Sequence, residues 1–213
     1  MHRQVQRSMT YRALIPVKTL HQAKSRLALH LNEEERARLV LSMLQHVIST
    51  LLNSSKFERV SVVSADRKVL EHAQSWGAKA LIEERPGHNP ALEAAAMAEL
   101  TAGTDALLTI SADLPLLRID DVCNMIAQSR RHDVVLAPSL DDTGTNALLV
   151  HPPLALPYLF GPGSLQRYGA EAKQRCLSVT LYHSLGCALD IDTIDDLETF
   201  RRYEQEYRAA HTP

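Results

Sequence analysis

The chain has 213 residues, of which 45% are hydrophobic, which is enough for one core of ordinary domain size rather than two. Lys and Arg total 23 against 25 Asp and Glu, with no long run of like charge, which argues against a basic nucleic-acid groove and predicts that any bound anion is small. No apolar stretch approaches the roughly 18 to 20 residues that a membrane helix needs, and the polar N-terminus lacks the apolar segment of a signal peptide.

The cysteines form no pattern typical of a metal or redox site. Cys123, Cys176 and Cys187 are widely spaced and make no CxxC pair, which fits a reducing cytoplasm. Residues 1–9 are polar, and we expect a disordered extension there, followed by a single domain over residues 10–213. The composition leaves the oligomeric state open, with a homodimer as one option.

Short apolar runs rich in β-branched residues alternate with segments of helical periodicity. In chain order we expect a strand over residues 12–17, a helix over 33–52, a strand over 59–64, a helix over 67–76, a strand over 80–83, a helix over 90–100, a strand over 106–111, a helix over 119–131, strands over 134–138, 146–151 and 176–182, and a helix over 193–208. This alternation predicts an α/β fold, with a mostly parallel central sheet and helices on both faces. Because ligands bind at the carboxyl ends of strands in such sheets, polar residues that follow a strand are the candidate site residues.

The loop after the first predicted strand carries three cations within nine residues, Lys18, Lys24 and Arg26. Such a cluster at a strand end can bind a triphosphate, and the alternative is an ordinary solvated loop. The GxxxxGK[ST] pattern of a P-loop is missing, and no GxGxxG follows this strand either. Phosphate binding here would therefore depend on side chains and a few backbone amides.

Three aspartates are candidate magnesium ligands. Asp113 follows the buried strand over residues 106–111, while Asp190 and Asp192 lie two apart in an extended segment, so that both side chains point to one side. Two carboxylates that face one way suit Mg²⁺ bound jointly by protein and phosphates. The alternatives are a turn or helix cap for Asp113, and capping of the last helix by Asp192 or Thr193.

Two loops of small residues, 141–146 and 160–164, lie at segment boundaries, where backbone N–H groups and hydroxyls can approach a carboxylate or phosphate closely. Ordinary turns are the alternative for either loop. Asn89 precedes an alanine-rich helix, which it could cap, or it could contact a nucleobase, or do both.

Five motifs occur in one order along the chain: IPVK at 15–18 with AKSRL at 23–27, SADLP at 111–115, GTNAL at 144–148, FGPGS at 160–164 and LDIDT at 189–193. Together they resemble the family of 2-phospho-L-lactate, phosphoenolpyruvate or 3-phospho-D-glycerate guanylyltransferases of coenzyme F-420 biosynthesis. The similarity covers residues 11–200.

The resemblance implies a Rossmann-like nucleotidyltransferase fold, with GMP transferred from GTP to a phosphorylated three-carbon acid and pyrophosphate released. It also implies that Asp113, Asp190 and Asp192 bind magnesium and that Thr145, Gly161 and Ser164 bind the acid. The cations Lys18, Lys24 and Arg26 would bind the triphosphate, and Asn89 would contact the guanosine. Lys24 and the three aspartates are the predicted catalytic residues. Pro90 stands where the family pattern leads us to expect alanine, which puts only the guanosine contact in question.

Three other functions fit parts of the pattern. A molybdenum-cofactor or sugar-phosphate nucleotidyltransferase would carry a Gly-rich opening loop, but residues 14–26 contain no glycine. A phosphatase of the haloacid dehalogenase type opens on apolar residues followed by DxD, which resembles residues 188–192 here, but only 21 residues follow Asp192. A non-catalytic nucleotide-binding module has no need for three aspartates. Among the acids, the small Ala91, Ala94 and Ala95 give a slight preference for 3-phospho-D-glycerate.

Overall fold

The computed structural model describes the backbone of residues 9–211 and the side chains of residues 9–205. The extension expected over residues 1–9 lies, apart from Met9, outside this range. The strands are β1 (Tyr11–Pro16), β2 (Arg59–Ser64), β3 (Lys79–Ile82), β4 (Ala106–Ile110), β5 (Val134–Pro138), β6 (Thr145–Val150) and β7 (Val179–Leu181). The helices are α1 (Glu33–Asn53), α2 (Arg67–Ser75), α3 (His88–Thr101), α4 (Ile119–Ser129), α5 (Ser164–Gln174), α6 (Leu185–Ala188) and α7 (Ile194–His211), with short 3-10 turns at Leu20–Gln22 and Ser25–Leu27.

Within the described residues, seven strands form one sheet in the order β3-β2-β1-β4-β6-β5-β7. Strand β6 runs antiparallel to β4 and β5, and the other neighbours pair in parallel, so the predicted mostly parallel sheet is confirmed. Because β6 runs the other way, its first residues lie at the edge where β1 and β4 end, with Ala147 opposite Ile110. This edge brings Thr145 and Asn146 next to the loops that follow β1 and β4.

Apolar side chains cover both faces of the sheet. In β1, Ala13 and Ile15 pack with buried residues of α1, α2 and α4, whereas Leu14 packs on the opposite face with buried residues of α3 and α5. All three are fully buried, and burial of a side chain such as Leu or Ile stabilises a fold by about 1.5–3 kcal/mol. The predicted helices on both faces are therefore confirmed.

The helix predicted over residues 33–52 forms as α1, and it starts with a capping box. Glu35 N donates to Asn32 Oδ1 at 2.9 Å, and Asn32 N donates to Glu35 Oε2 at 2.8 Å. Such a reciprocal pair satisfies amides that a helix start otherwise leaves free. Across residues 9–211, no helix combines the length and the apolar character that crossing a membrane requires.

Two helices, α5 and α6, are absent from the sequence prediction. Gly169 lies inside α5 and lowers the helix propensity of that segment, and α6 has only four residues. The strand predicted over residues 176–182 is shorter than expected, because Cys176 takes a left-handed conformation (φ 56°) after α5 and pairing with β5 covers only Val179–Leu181. These segments depend on tertiary contacts more than on local pattern.

The short helix α6 packs tightly against the start of α4. A Cβ atom at Gly186 would overlap Asp121 Oδ2 and would lie 2.8 Å from Leu116 O. Asp121 is buried, and its Oδ1 accepts a hydrogen bond from the Tyr182 hydroxyl at 2.9 Å. The close contact fixes α6, which ends two residues before Asp190.

Candidate active site

A buried lysine lies at the sheet edge where β1 and β4 end. Lys24 stands between the two 3-10 turns with a left-handed backbone (φ 55°, ψ 40°), and its side chain is 8% exposed. Its Nζ donates to Asp113 Oδ2 at 2.5 Å and lies 3.7 Å from Asp192 Oδ1. One ammonium group thereby joins the loops that follow β1, follow β4 and precede α7.

The electrostatics of this cluster favour additional positive charge. Burial lowers the pKa of Lys24, but the three adjacent aspartates raise it by more, so its pKa is raised overall and the ammonium stays protonated at neutral pH. Burial raises the pKa of Asp190, and the charge of Asp113 raises it further, against the opposing effects of Asn146 and Lys24. Two cations, Lys24 and the exposed Arg26, face three carboxylates here, so a further cation would be stabilised beside them.

Asp190 and Asp192 are held by different neighbours. Asp190 Oδ1 accepts a hydrogen bond from Asn146 Nδ2 at 3.1 Å, and Asp192 Oδ2 accepts one from Arg26 Nη1 at 2.8 Å in a largely exposed ion pair. Both aspartates follow β7 and α6 in the chain. The DxD sequence at 190–192 therefore does not end the first core strand, which is where a phosphatase of the haloacid dehalogenase type carries its nucleophile.

Thr193 and Asp196 form the cap at the start of α7. Asp196 Oδ2 accepts hydrogen bonds from Thr193 N at 2.7 Å, from Thr193 Oγ1 at 2.8 Å and from Asp192 N at 3.0 Å. Of the two capping alternatives, Thr193 is the correct one, and the Asp192 carboxylate is left for other contacts. Asp196 is not among the predicted site residues, although a Thr-x-x-Asp spacing before a helix is a capping signal.

The cluster fits an ion that the protein shares with a substrate, rather than a cage built by the protein alone. Asp113 caps no helix, since α4 begins after Arg118, and its buried Oδ1 has no hydrogen-bond partner among the described residues. In the same part of the chain, no three His, Cys, Asp or Glu side chains group closely enough to hold a metal by themselves. Mg²⁺ in proteins is commonly bound by one or two carboxylates together with substrate phosphates and water.

A cleft of about 580 Å³ extends from the aspartates along the loops between β5 and β6 and before α5. Thr145, Gly161 and Ser164 line it together with Asp190 and Asp192. Thr145 is 7% exposed, and its Oγ1 has no hydrogen-bond partner among the described residues. The structure thus places the three predicted acid-binding residues beside two of the predicted magnesium ligands.

Four of the predicted site residues do not line this cleft, namely Lys18, Lys24, Asn89 and Asp113. The helix that Asn89 was a candidate to cap begins after Gly87, so the capping alternative is wrong. Instead, Asn89 Nδ2 donates to Phe160 O and Asn89 Oδ1 accepts from Phe160 N, both at 3.1 Å, which ties α3 to the loop that carries Gly161. Lys18 is exposed just beyond β1, and its guanine-nucleotide role, like that of Asn89, stays a prediction.

The three alanines behind the preference for 3-phospho-D-glycerate lie elsewhere. Ala91 and Ala95 are buried, and Ala95 packs in the apolar cluster between α3 and the sheet. Ala94 lines a different cleft, beside Met97 and Leu154. The alanines therefore give no support to a preference for 3-phospho-D-glycerate.

Comparison with known proteins gives a match over nearly the whole described chain. A family model described as "Guanylyl transferase CofC like" matches residues 11–207. The phosphoenolpyruvate guanylyltransferase of Sphaerobacter thermophilus is 42% identical over 190 residues, which cover 89% of this chain and 92% of that protein. The 2-phospho-L-lactate guanylyltransferase of Methanothermobacter thermautotrophicus is 39% identical over 186 residues, which cover 87% of this chain and 81% of that protein.

The fold matches solved structures at much lower identity. A protein from Desulfovibrio desulfuricans G20, described as a nucleotide-diphospho-sugar transferase, superposes with a TM-score of 0.78 at 16% identity, over 92% of this chain and 88% of that one. Identity at this level supports the Rossmann-like nucleotidyltransferase architecture and says nothing about the substrate.

Proposed function

Because the chain belongs to the guanylyl transferase CofC-like family, we propose that it transfers GMP from GTP to the phosphate of a small phosphorylated acid, with release of pyrophosphate, in coenzyme F-420 biosynthesis. One observation carries this proposal. One cleft is lined both by Asp190 and Asp192 and by the start of α5 and the Thr145 hydroxyl, which has no partner among the described residues. Lys24 and Asp113 do not line the cleft, and Lys24 contacts it only through its ion pair with Asp192. This arrangement suits two anions that must react with each other.

The acid in this proposal is phosphoenolpyruvate, 2-phospho-L-lactate or 3-phospho-D-glycerate. The first two are the acids named for the relatives compared above. The slight preference for 3-phospho-D-glycerate receives no support from Ala91, Ala94 and Ala95, since none of them lines the cleft. All three acids share a carboxylate and a phosphate, which are the groups that the cleft would recognise.

The far end of the cleft is suited to an acidic group. Ser164 is the first residue of α5, and the positive end of a helix dipole favours an anion there. Gly161 has a positive φ of 119°, which lets the backbone approach a ligand closely. The Thr145 hydroxyl would supply a hydrogen bond that no described residue takes. These groups would hold the acid with its phosphate toward the aspartates.

At the near end, side chains would stabilise the charge that develops on the triphosphate. A phosphate oxygen of the acid attacks the α-phosphorus of GTP, and the bond to pyrophosphate breaks. In this proposal the positive charges of Lys24, Arg26 and Lys18 would stabilise the departing pyrophosphate. Mg²⁺ held by Asp113, Asp190 and Asp192 would neutralise charge on both anions. A phosphate monoester is largely dianionic near pH 7, since its second pKa is about 6, so no strong general base is required.

Purified protein with Mg²⁺ and GTP, given each of the three acids in turn, tests the proposal. We expect pyrophosphate release with at least one acid, and mass spectrometry should detect a product that carries GMP on the acid's phosphate. Activity that disappears without a divalent cation would support the magnesium sites. Release of inorganic phosphate from the acids without any guanylylated product would contradict the proposal.

Replacing Thr145 with Val tests the acid end of the cleft. The change removes a buried hydroxyl that has no partner among residues 9–205, so we expect the free energy of unfolding to stay equal or to rise slightly. We expect the KM for the acid to rise about 10-fold, which corresponds to one lost hydrogen bond of about 1.4 kcal/mol. Steady-state kinetics and thermal unfolding measure both. Thr180 on β7 is the matched control, and an unchanged KM in Thr145→Val alongside Thr180→Val would exclude the proposed contact.

A further inference from the structure

Asn146 lies at the junction of the two acidic loops. It is the second residue of β6 and is 6% exposed. Its Nδ2 lies 3.1 Å from Asp190 Oδ1, 3.1 Å from Cys187 O and 3.0 Å from Ala188 O. Because three acceptors surround this atom, it must be the amide nitrogen, and its two hydrogens are shared among them.

The backbone of Asn146 contacts the other acidic loop. Its carbonyl accepts a hydrogen bond from Ser111 N at 2.8 Å, and Ser111 begins the loop that leads to Asp113. A second bond, from Ile191 N to Asp113 O at 3.3 Å, joins the two loops directly. Asn146 therefore touches both acid-bearing segments, one through its backbone and the other through its side chain.

The hydrogen bond from Asn146 fixes one oxygen of the Asp190 carboxylate, Oδ1. The same amide also binds two carbonyls of α6, so the helix end and the carboxylate that follows it are held by one group. Residues that orient a metal-binding carboxylate in this way generally matter for metal affinity although they do not contact the metal.

We propose that Asn146 is a positioning residue, which holds the Asp190 carboxylate in the orientation in which it binds a divalent cation. The inference deepens the proposed function, on which it rests. It assigns to Asn146 no contact with the acid or with GTP, although Asn146 lies in the wall of the cleft.

A titration with Mn²⁺ followed by electron paramagnetic resonance measures this role apart from catalysis. We expect Asn146→Ala to weaken Mn²⁺ binding to the whole protein by about 10- to 100-fold. We expect Asn146→Gln, which keeps an amide donor, to recover part of that loss. If circular dichroism shows that Asn146→Ala does not fold, the Mn²⁺ affinity of Asn146→Gln is compared with that of wild type instead, and a weaker affinity is the expected result. Asn124→Ala, at an exposed asparagine of α4, should bind Mn²⁺ like wild type.

A double-mutant comparison separates positioning from a direct contact. If Asn146 acts through Asp190, adding Asn146→Ala to Asp190→Asn should weaken Mn²⁺ binding no further. Fully additive losses, an unchanged Mn²⁺ affinity in Asn146→Ala, or the absence of any Mn²⁺ binding that depends on Asp190 would each overturn the inference.

Failure of the proposed function gives a different result. A wild-type protein that transfers GMP to none of the three acids, but shows the expected Mn²⁺ affinities, would contradict guanylyl transfer to these acids and leave the role of Asn146 supported. Guanylyl transfer by wild type with unchanged Mn²⁺ affinity in Asn146→Ala would support the proposed function and contradict the role of Asn146.

Discussion

An Asp190→Asn variant is expected to lose guanylyl transfer by about 10²- to 10³-fold while it remains folded. Loss of one preorganised charged group that stabilises the transition state typically has an effect of this order. Asn keeps the size of the side chain and removes the charge that would bind a cation between the reacting anions. The measurement is kcat/KM for the acid that proves active, at saturating GTP and Mg²⁺.

The direction of the change in stability caused by Asp190→Asn follows from the pKa of Asp190. The pKa of Asp190 is raised in the folded protein, chiefly by burial, so the protonated form is favoured there and stability from this group is lost as pH rises through the folded pKa. At neutral pH the charged Asp190 therefore lowers stability, and the neutral Asn should leave the Tm unchanged or higher. Asp195→Asn, at an exposed aspartate of α7, is the matched control and should keep full activity. A fully active Asp190→Asn enzyme would rule out the assigned role.

A Gly186→Ala variant is expected to lose about 3 kcal/mol of unfolding free energy, at the upper end of what overpacking usually costs. The added Cβ would meet Asp121 Oδ2 and Leu116 O, and one of these contacts is with backbone, which cannot rotate away. For a chain of this length, the Tm should fall by roughly 6 to 12 °C. Activity should fall as well, because α6 leads directly into Asp190.

Gly169→Ala is the matched control for this substitution. Gly169 lies inside α5, and a Cβ there meets no atom within 4 Å. Alanine is the better helix former, so this variant should be more stable by about 0.5–1 kcal/mol. Thermal unfolding of both variants tests whether the Tm falls in Gly186→Ala and rises in Gly169→Ala. A Gly186→Ala protein as stable as wild type would show that α6 can move away from α4.

The parts of the fold that were predictable are those set by local pattern. The spacing of Asn32 and Glu35 is a capping signal that marks the start of α1. The apolar run in β1 indicates a strand that is buried on both faces of the sheet. The direction of β6 was not predictable, because a fully buried strand has the same sequence pattern whether it runs parallel or antiparallel. That direction is what brings Thr145 and Asn146 to the edge where β4 ends.

In the candidate site, too, some features were predictable from the sequence and others were not. Polar residues after strands pointed to Lys24 and Asp113 because chain direction alone places them at one edge of the sheet. The tie between Asn146 and Asp190, and the pair of bonds between Asn89 and Phe160, join residues far apart in the sequence. No spacing rule relates such partners, so their hydrogen bonds required the structure.

The site joins residues from near the two ends of the chain, since the ion pair between Arg26 and Asp192 spans 166 positions. The ribosome therefore synthesises the two partners at very different times. A ribosome-bound chain that ends before residue 189 already contains all the strands from β1 to β7, and in it Lys24 can pair only with Asp113. Such a nascent chain has one of the three carboxylates. The polypeptide therefore acquires the last two of the three carboxylates only after every strand from β1 to β7 has been synthesised.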